Sequence, residues 1–153
     1  MASFIGKYTS RLDEKGRLVF PAPLKGVMAP GGDMRFVVKK DIFRKCLEML
    51  TYEEWTAQTE AMKARLDFLN PKHVSFWSYY TSGNFVVEPD SRLGRISIPR
   101  ELLDYIGATK EVVFSGGVFK IEIWAREEFE KSRISHEEFI AIAESLSQSR
   151  QAE

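Results

Sequence analysis

Two short basic turns carry the side chains of this sequence best suited to chemistry on a charged partner. Asp13-Glu14-Lys15-Gly16-Arg17 sets an arginine four positions after an aspartate, and Asp90-Ser91-Arg92-Leu93-Gly94-Arg95 again puts an arginine directly after a glycine. A guanidinium is a planar fork that can make two bonds at once to a phosphate or a guanine edge, and a neighbouring lysine adds a point charge. Arg11, Lys15, Arg17, Arg92 and Arg95 are therefore the candidate contacts to nucleic acid. Asp13, Gly16, Asp90, Ser91 and Gly94 are the candidate builders of the turns. Taken alone, an Asp-x-x-x-Arg turn is first of all an ion pair that fixes a hairpin. Asp13 is given that structural role even where Arg17 meets DNA.

Other chemistries find less support. His73 and His136 are the only histidines, and neither is repeated between the two turn regions, so no symmetric general-base site is expected. His73 opens the aromatic run "HVSFWSYY", which reads as a strand, and His136 falls at an exposed helix start. The single cysteine, Cys46, can form neither an internal disulfide nor, by itself, a zinc site; in its apolar run it reads as buried and inert. No Gly-rich phosphate loop precedes a helix, and "APGGD" (Ala29 to Asp33) reads as a surface turn. Phe76, Trp77, Tyr79 and Tyr80 could stack on bases, but such residues belong more often to cores and subunit interfaces. The expectation is no enzyme, no cofactor, no metal and no small-molecule substrate.

Charge supports a nucleic-acid partner only locally. The chain has 153 residues, with 22 basic and 22 acidic side chains and a formal net charge of zero. From Lys7 to Arg17 four basic residues face two acidic ones, and from Glu88 to Arg100 three face two. From Arg126 to Glu153 four basic residues face seven acidic ones, so the turns are basic and the C-terminal region acidic. One such chain should bind DNA poorly, because phosphate neutralisation supplies much of the affinity; many copies would raise it by effective concentration. No apolar run is long enough to cross a bilayer, and "MASFIGKYTSRL" lacks the apolar segment of a secretory signal. A reducing cytoplasm is the expected compartment.

The elements that must position the turns are duplicated. Gly16-Arg17 recurs as Gly94-Arg95, Pro21 as Pro99 and Leu24 as Leu102, all at an offset of 78 (94 − 16). "EMLTYEEW" from Glu48 matches "EIWAREEF" from Glu122 at 74 (122 − 48), so the first copy holds four more residues, assigned to the "APGGD" loop. In the first copy "FIGKYTSRL", "RLVF", "MRFVVKK" and "CLEML" read as strands; in the second, "NFVVE", "RISI", "EVVFS" and "FKIEIW" take their places. "PRELLDYIG" reads as a short helix with Pro99 in its first turn and Gly107 as its cap. Thr51 to Glu54 and Ser135 to Glu138 are capping boxes, each opening a longer helix. The first carries a stripe of Trp55, Thr59, Met62, Leu66 and Leu69 and is ended by Asn70-Pro71; the second runs through Phe139, Ile142, Ala143 and Leu146 before a tail, "SQSRQAE", expected to fray.

A strand, a D-x-x-G-R-like turn, a strand ending near a proline, a short helix and a further strand pair resemble the AbrB/SpoVT-type swapped-hairpin motif. Two copies in one chain, followed by "EEW" and "EEF", are similar to the MraZ family of bacterial transcriptional regulators over roughly Phe4 to Phe129. The resemblance implies an α+β, mainly β fold in which both motifs intertwine into one pseudo-symmetric β-barrel with flanking helices. The boundaries are a first motif at 4–56, a connecting helix and strand at 57–80, a second motif at 81–130, and a C-terminal helix and tail at 131–153. It implies a ring-shaped homo-oligomer on repeated DNA sites upstream of the division and cell-wall genes, in the cytoplasm and nucleoid. The alternative is a structural ring, or a ligand- or partner-sensing protein of the same fold, that does not bind DNA. The family pattern is Asp-x-x-x-Arg in both copies. The second copy departs from it: either its turn is one residue longer, or Ser91 takes the aspartate's role.

Overall fold

A computed structural model describes residues 2–151. In chain order its elements are β1 (Lys7–Arg11), β2 (Arg17–Val19), α1 (Ala22–Lys25), β3 (Phe36–Lys40), β4 (Leu47–Thr51), α2 (Tyr52–Ala64) and α3 (Pro71–Ser82), then β5 (Phe85–Val87), β6 (Arg95–Ser97), α4 (Arg100–Ile106), β7 (Glu111–Gly116), β8 (Ile121–Ala125), α5 (Arg126–Lys131) and α6 (His136–Gln151). The fold is α+β.

Strand pairing shows what the repeat does. Six strands form one antiparallel sheet in the order β1-β7-β8-β4-β3-β5, and β2 and β6 form a separate ladder. Under the repeat β1 to β4 correspond to β5 to β8, so that order is a palindrome. Each copy's first strand leaves its own copy and pairs with the third strand of the other, β1 on β7 and β5 on β3. β4 joins β8 across the centre. The exchange lets each copy cover an edge the other would leave open. Leu18 and Ile96, opposite one another in the β2–β6 ladder, point into the same core as Phe36, Val38, Met49, Phe114, Ile121 and Ile123 of the large sheet.

The opposite face of the large sheet carries charge and a second small core. Glu48 stands opposite Glu122, and Lys120 bridges the pair at 3.0 and 3.8 Å. Arg44 bridges Asp41 and Glu122. Cys46 is buried beside Val113, Trp124 and Phe129. Burial first, then the carboxylates of Asp41 and Glu122, push its thiol up to about 12, so it is protonated, and it is buried as expected.

Five expectations are corrected. "HVSFWSYY" is not a strand but most of helix α3. Asn70 caps it by accepting from Lys72 N–H at 2.9 Å and Pro71 takes the first turn, so Asn70-Pro71 opens a helix instead of ending one. Its aromatic residues meet at helical spacing, Phe76 stacked on Tyr80 at 5.4 Å. Helix α2 stops at Ala64, and the stripe read through it has no fully buried member; Leu69 is 93% exposed. The four extra residues of the first copy do not all lie in "APGGD". Two fall between Pro21 and Phe36 (15 positions, against 13 from Pro99 to Val112), and two in the β3–β4 turn, 41–46 against 117–120. Lastly, "SQSRQ" continues α6 as helix to Gln151; Ala152 and Glu153 lie outside the described residues.

Several local readings hold. Thr51 accepts from Glu54 N–H and Ser135 from Glu138 N–H, both at 3.1 Å, although the Glu54 carboxylate takes Gln58 instead of reaching back. Gly107 caps α4 with φ +70°. Helix α1, a single turn after Pro21, has no counterpart in the reading of the first copy. No helix among the described residues is long and apolar enough to cross a membrane.

Candidate nucleic-acid interface

Each basic turn is built by one carboxylate. In the first, Asp13 Oδ1 accepts from the N–H groups of Lys15 and Arg17 at 2.9 and 2.8 Å, while Oδ2 accepts from Arg17 Nε at 2.8 Å. In the second, Asp90 Oδ1 accepts from Arg92, Leu93 and Gly94 N–H at 3.1, 2.8 and 3.1 Å, and Oδ2 from Arg95 Nε at 3.0 Å. Gly16 (φ +78°) and Gly94 (φ +68°) supply the left-handed residue before each arginine. Asp90 therefore takes the aspartate's role and the second turn is one residue longer. Ser91 is exposed and does not replace it.

These bonds hold both carboxylates below the usual carboxylate range. Asp13 is lowered by the Arg17 N–H first and by its side chain next. Asp90 is lowered to about 2, by the Leu93 N–H first and then by the Arg95 guanidinium. Among the described residues each arginine spends only Nε in its turn, so the two Nη groups keep their donors for a ligand.

The β2–β6 ladder brings the turns onto one surface. Leu18 and Ile96 face inward, so alternation sends Arg17, Val19, Arg95 and Ser97 outward. Because the strands are antiparallel, the two turns flank the ladder at opposite ends. Lys15 and Arg92 are exposed in the turns, and Arg11 is exposed just before the first, with no ion pair on any of the three among the described residues. Ser10 bonds Val19 of the ladder and Tyr8 and Leu12 pack on the core, so alternation puts Arg11 on the opposite face of β1, away from the ribbon. Val19, Ser97 and Lys25 were not singled out from the sequence. Lys25 Nζ lies 3.9 Å from where a Cβ on Gly94 would be, whereas the first turn has the apolar Leu103 over Gly16 at 3.6 Å. The signal for Lys25 was its place beside Leu24 in the repeated phrase. Val19 and Ser97 needed the ladder register.

The histidines stand apart from this surface. His73 Nδ1 accepts from Asp67 N–H at 2.9 Å between α2 and α3, and His136 stacks on Phe139 at 6.2 Å.

The fold and these turns define a duplicated, strand-exchanged protein with two carboxylate-braced arginines on one outward ribbon. The family described as "MraZ protein, putative antitoxin-like" matches residues 81–150. The chain is 35% identical over 147 residues to "Transcriptional regulator MraZ" of Christiangramia forsetii, covering 95% of this chain and 94% of that protein. It is 34% identical over 146 residues to the protein of that name in Bacteroides thetaiotaomicron, covering 95% and 93%, and 36% identical over 130 residues to that of Dictyoglomus thermophilum, covering 84% and 83%. The chain belongs to the MraZ family.

Proposed function

We propose that this chain is a DNA-binding transcriptional regulator that lays the β2–β6 ribbon and its two flanking turns on the duplex. The observation that carries the reading is the outward face of the ladder, where Arg17 and Arg95 are oriented by Asp13 and Asp90 with their Nη groups unspent. A two-stranded ribbon fits the major groove, and an oriented guanidinium is suited to a guanine edge. Lys15, Arg92 and Lys25 surround it as phosphate contacts. The relatives' shared name, transcriptional regulator, supports the same reading.

The regulator acts as a cyclic homo-oligomer on repeated sites in the division and cell-wall region, in the cytoplasm at the nucleoid. A net charge of zero makes one chain a weak binder, so affinity comes from several turns engaging at once. Helix α6 supports self-association: every described side chain on it is exposed, among them Phe139, Ile140, Ile142 and Leu146.

Gel shifts on the DNA upstream of the chain's own gene, at stated salt, test the reading. Arg17→Ala and Arg95→Ala should each weaken binding by about 1–3 kcal/mol where they read a base, or reduce the salt slope by about one where they meet phosphate. Light scattering should show the same assembly size in both variants. A duplex with one repeat should bind much more weakly than one with three. Wild-type affinity in the double variant would remove the ribbon from the DNA surface, and equal affinity for one and three repeats would exclude the avidity mechanism.

A further inference from the structure

A cavity of about 430 Å³ opens where β3 runs past the end of β5. Its walls include Lys39 and Lys40 from β3, Phe76, Tyr79 and Tyr80 from α3, and Tyr105 from α4. Lys39 is only 6% exposed; Glu48 stands opposite it across β3–β4, but that carboxylate bonds Lys120 at 3.0 Å, and among the described residues none forms an ion pair with Lys39. Its Nζ donates to the Tyr80 hydroxyl at 3.2 Å and lies 4.6 Å from the centre of that ring. The Lys40 ammonium lies 4.8 Å from the centre of the Tyr105 ring, likewise with no carboxylate partner among the described residues. Asp41 borders the cavity, but its carboxylate is spent on Arg44 and on the N–H groups of Phe43 and Arg44. Glu101 is the one other acidic lining residue, and it is exposed. Asp41 N–H bonds Cys46 on the β4 side, so alternation along the strand turns the Lys40 N–H toward the open edge.

A buried ammonium is costly unless paired, and a phenol and two π faces satisfy this pair without neutralising it. Two cations without an ion-pair partner, a free strand N–H and aromatic walls are the complement of a flat anion. We propose that this cavity is a binding site for a small planar organic anion, such as an aromatic carboxylate, sulfonate or phosphate. The acidic group sits at the open edge of β3, where Lys39 and Lys40 reach it from either side of the strand, and the ring lies against the tyrosines. Occupancy is felt at the second turn. α3 leads through β5 to Asp90 and α4 follows directly on β6, so a ligand held by both helices ties together the ends of the segment bearing Arg92 and Arg95. Neither half of the proposal depends on the DNA-binding reading.

The test titrates the full chain with 8-anilinonaphthalene-1-sulfonate and with uncharged N-phenyl-1-naphthylamine. One sulfonate probe should bind per chain. Lys39→Met with Lys40→Met should weaken it by at least about tenfold without changing circular dichroism, while the uncharged probe binds both proteins alike. Lys40→Met alone and Tyr79→Ala, at more exposed positions, should weaken it in the same direction should the double variant misfold. Amide exchange at 90–95 should slow when the sulfonate binds. Wild-type affinity in the lysine variants would overturn the site. Binding seen only after Phe139→Ser with Leu146→Ser would also overturn it, giving the cavity to α6 of a second copy. Binding with unchanged exchange at 90–95 would overturn the coupling to the turn.

Discussion

Lys40 and Gly116 hold matched places in the two halves, Lys40 opposite Leu47 and Gly116 opposite Ile121. In the second half the chain before β1 continues along β7. Phe4 and Val118 exchange two backbone hydrogen bonds, and Gly116 N–H bonds Gly6 at 2.8 Å. A Cβ at 116 would stand 2.5 Å from the Phe4 carbonyl oxygen, so the position must be glycine. In the first half the chain before β5 is helix α3, which leaves β3 uncovered beyond Val38. A long side chain then fits, and it is a lysine facing a cavity. The halves share one core and one turn design. They differ in what precedes their first strand, and that difference decides whether an edge is sealed or open.

Gly116→Ala should therefore be the most damaging small substitution at the sealed edge. It forces the Phe4 backbone off β7, and Phe4 is a core residue, 1% exposed. A loss of about 2–4 kcal/mol in urea unfolding is expected, of the order of emptying a buried aromatic site. Gly117→Ala, whose Cβ would first meet the Lys120 side chain at 3.4 Å, should cost far less. Equal midpoints for the two variants would mean that the segment before β1 does not hold the edge.

The same comparison separates what was legible in the sequence from what was not. The duplicated phrase exposed both turns, and the strands around it followed from composition and turn residues. Gly107, Thr51 and Ser135 marked helix ends correctly because capping is local chemistry. The run from His73 to Tyr80 reads as a strand because β-branched and aromatic residues favour strands, and Asn-Pro serves equally as the stop of one helix or, as here, the start of the next. The Asp90 role is ambiguous in sequence, since one inserted residue shifts spacing without changing chemistry. The cavity could not be read at all. It depends on β5 being shorter than β1, on α3 lying beside β3, and on Lys39 and Lys40 projecting to different sides of one strand.

The turns allow a subtler contrast, in acid. Both carboxylates are held below their ordinary 3.8 in the folded chain. A lowered pKa means stability fully present above that ordinary value and lost as pH falls through the folded one. For Asp90 the window runs from 3.8 down to about 2. The Leu93 and Gly94 amide signals should keep their folded positions at pH 3 and move only nearer pH 2. Asp90→Asn keeps an acceptor oxygen but cannot titrate, so its second turn should show no such transition. A wild-type transition centred near the ordinary value would mean that the Leu93 N–H and Arg95 do not brace the turn in solution.

The smallest expected effect lies at Val118, where the sealed edge carries a strain the open edge lacks. Val118 has φ +66°, the only positive φ of a non-glycine among the described residues. A β-branched side chain in the left-handed region crowds its own backbone, at roughly 1–2 kcal/mol. The conformation persists because it aims the Val118 N–H and carbonyl at Phe4, at 3.0 and 2.8 Å. The side chain itself is 58% exposed and buries little in return. Asparagine visits this region readily and keeps both backbone bonds, so Val118→Asn should raise stability by about 1 kcal/mol. The gain should appear as a higher urea midpoint with an unchanged slope, since no surface is newly exposed. In the Gly116→Ala background it should shrink toward zero, because the Phe4 pairing that enforces the strain is already gone. An undiminished gain there would show that the strain arises within the β7–β8 turn and has no part in sealing the edge.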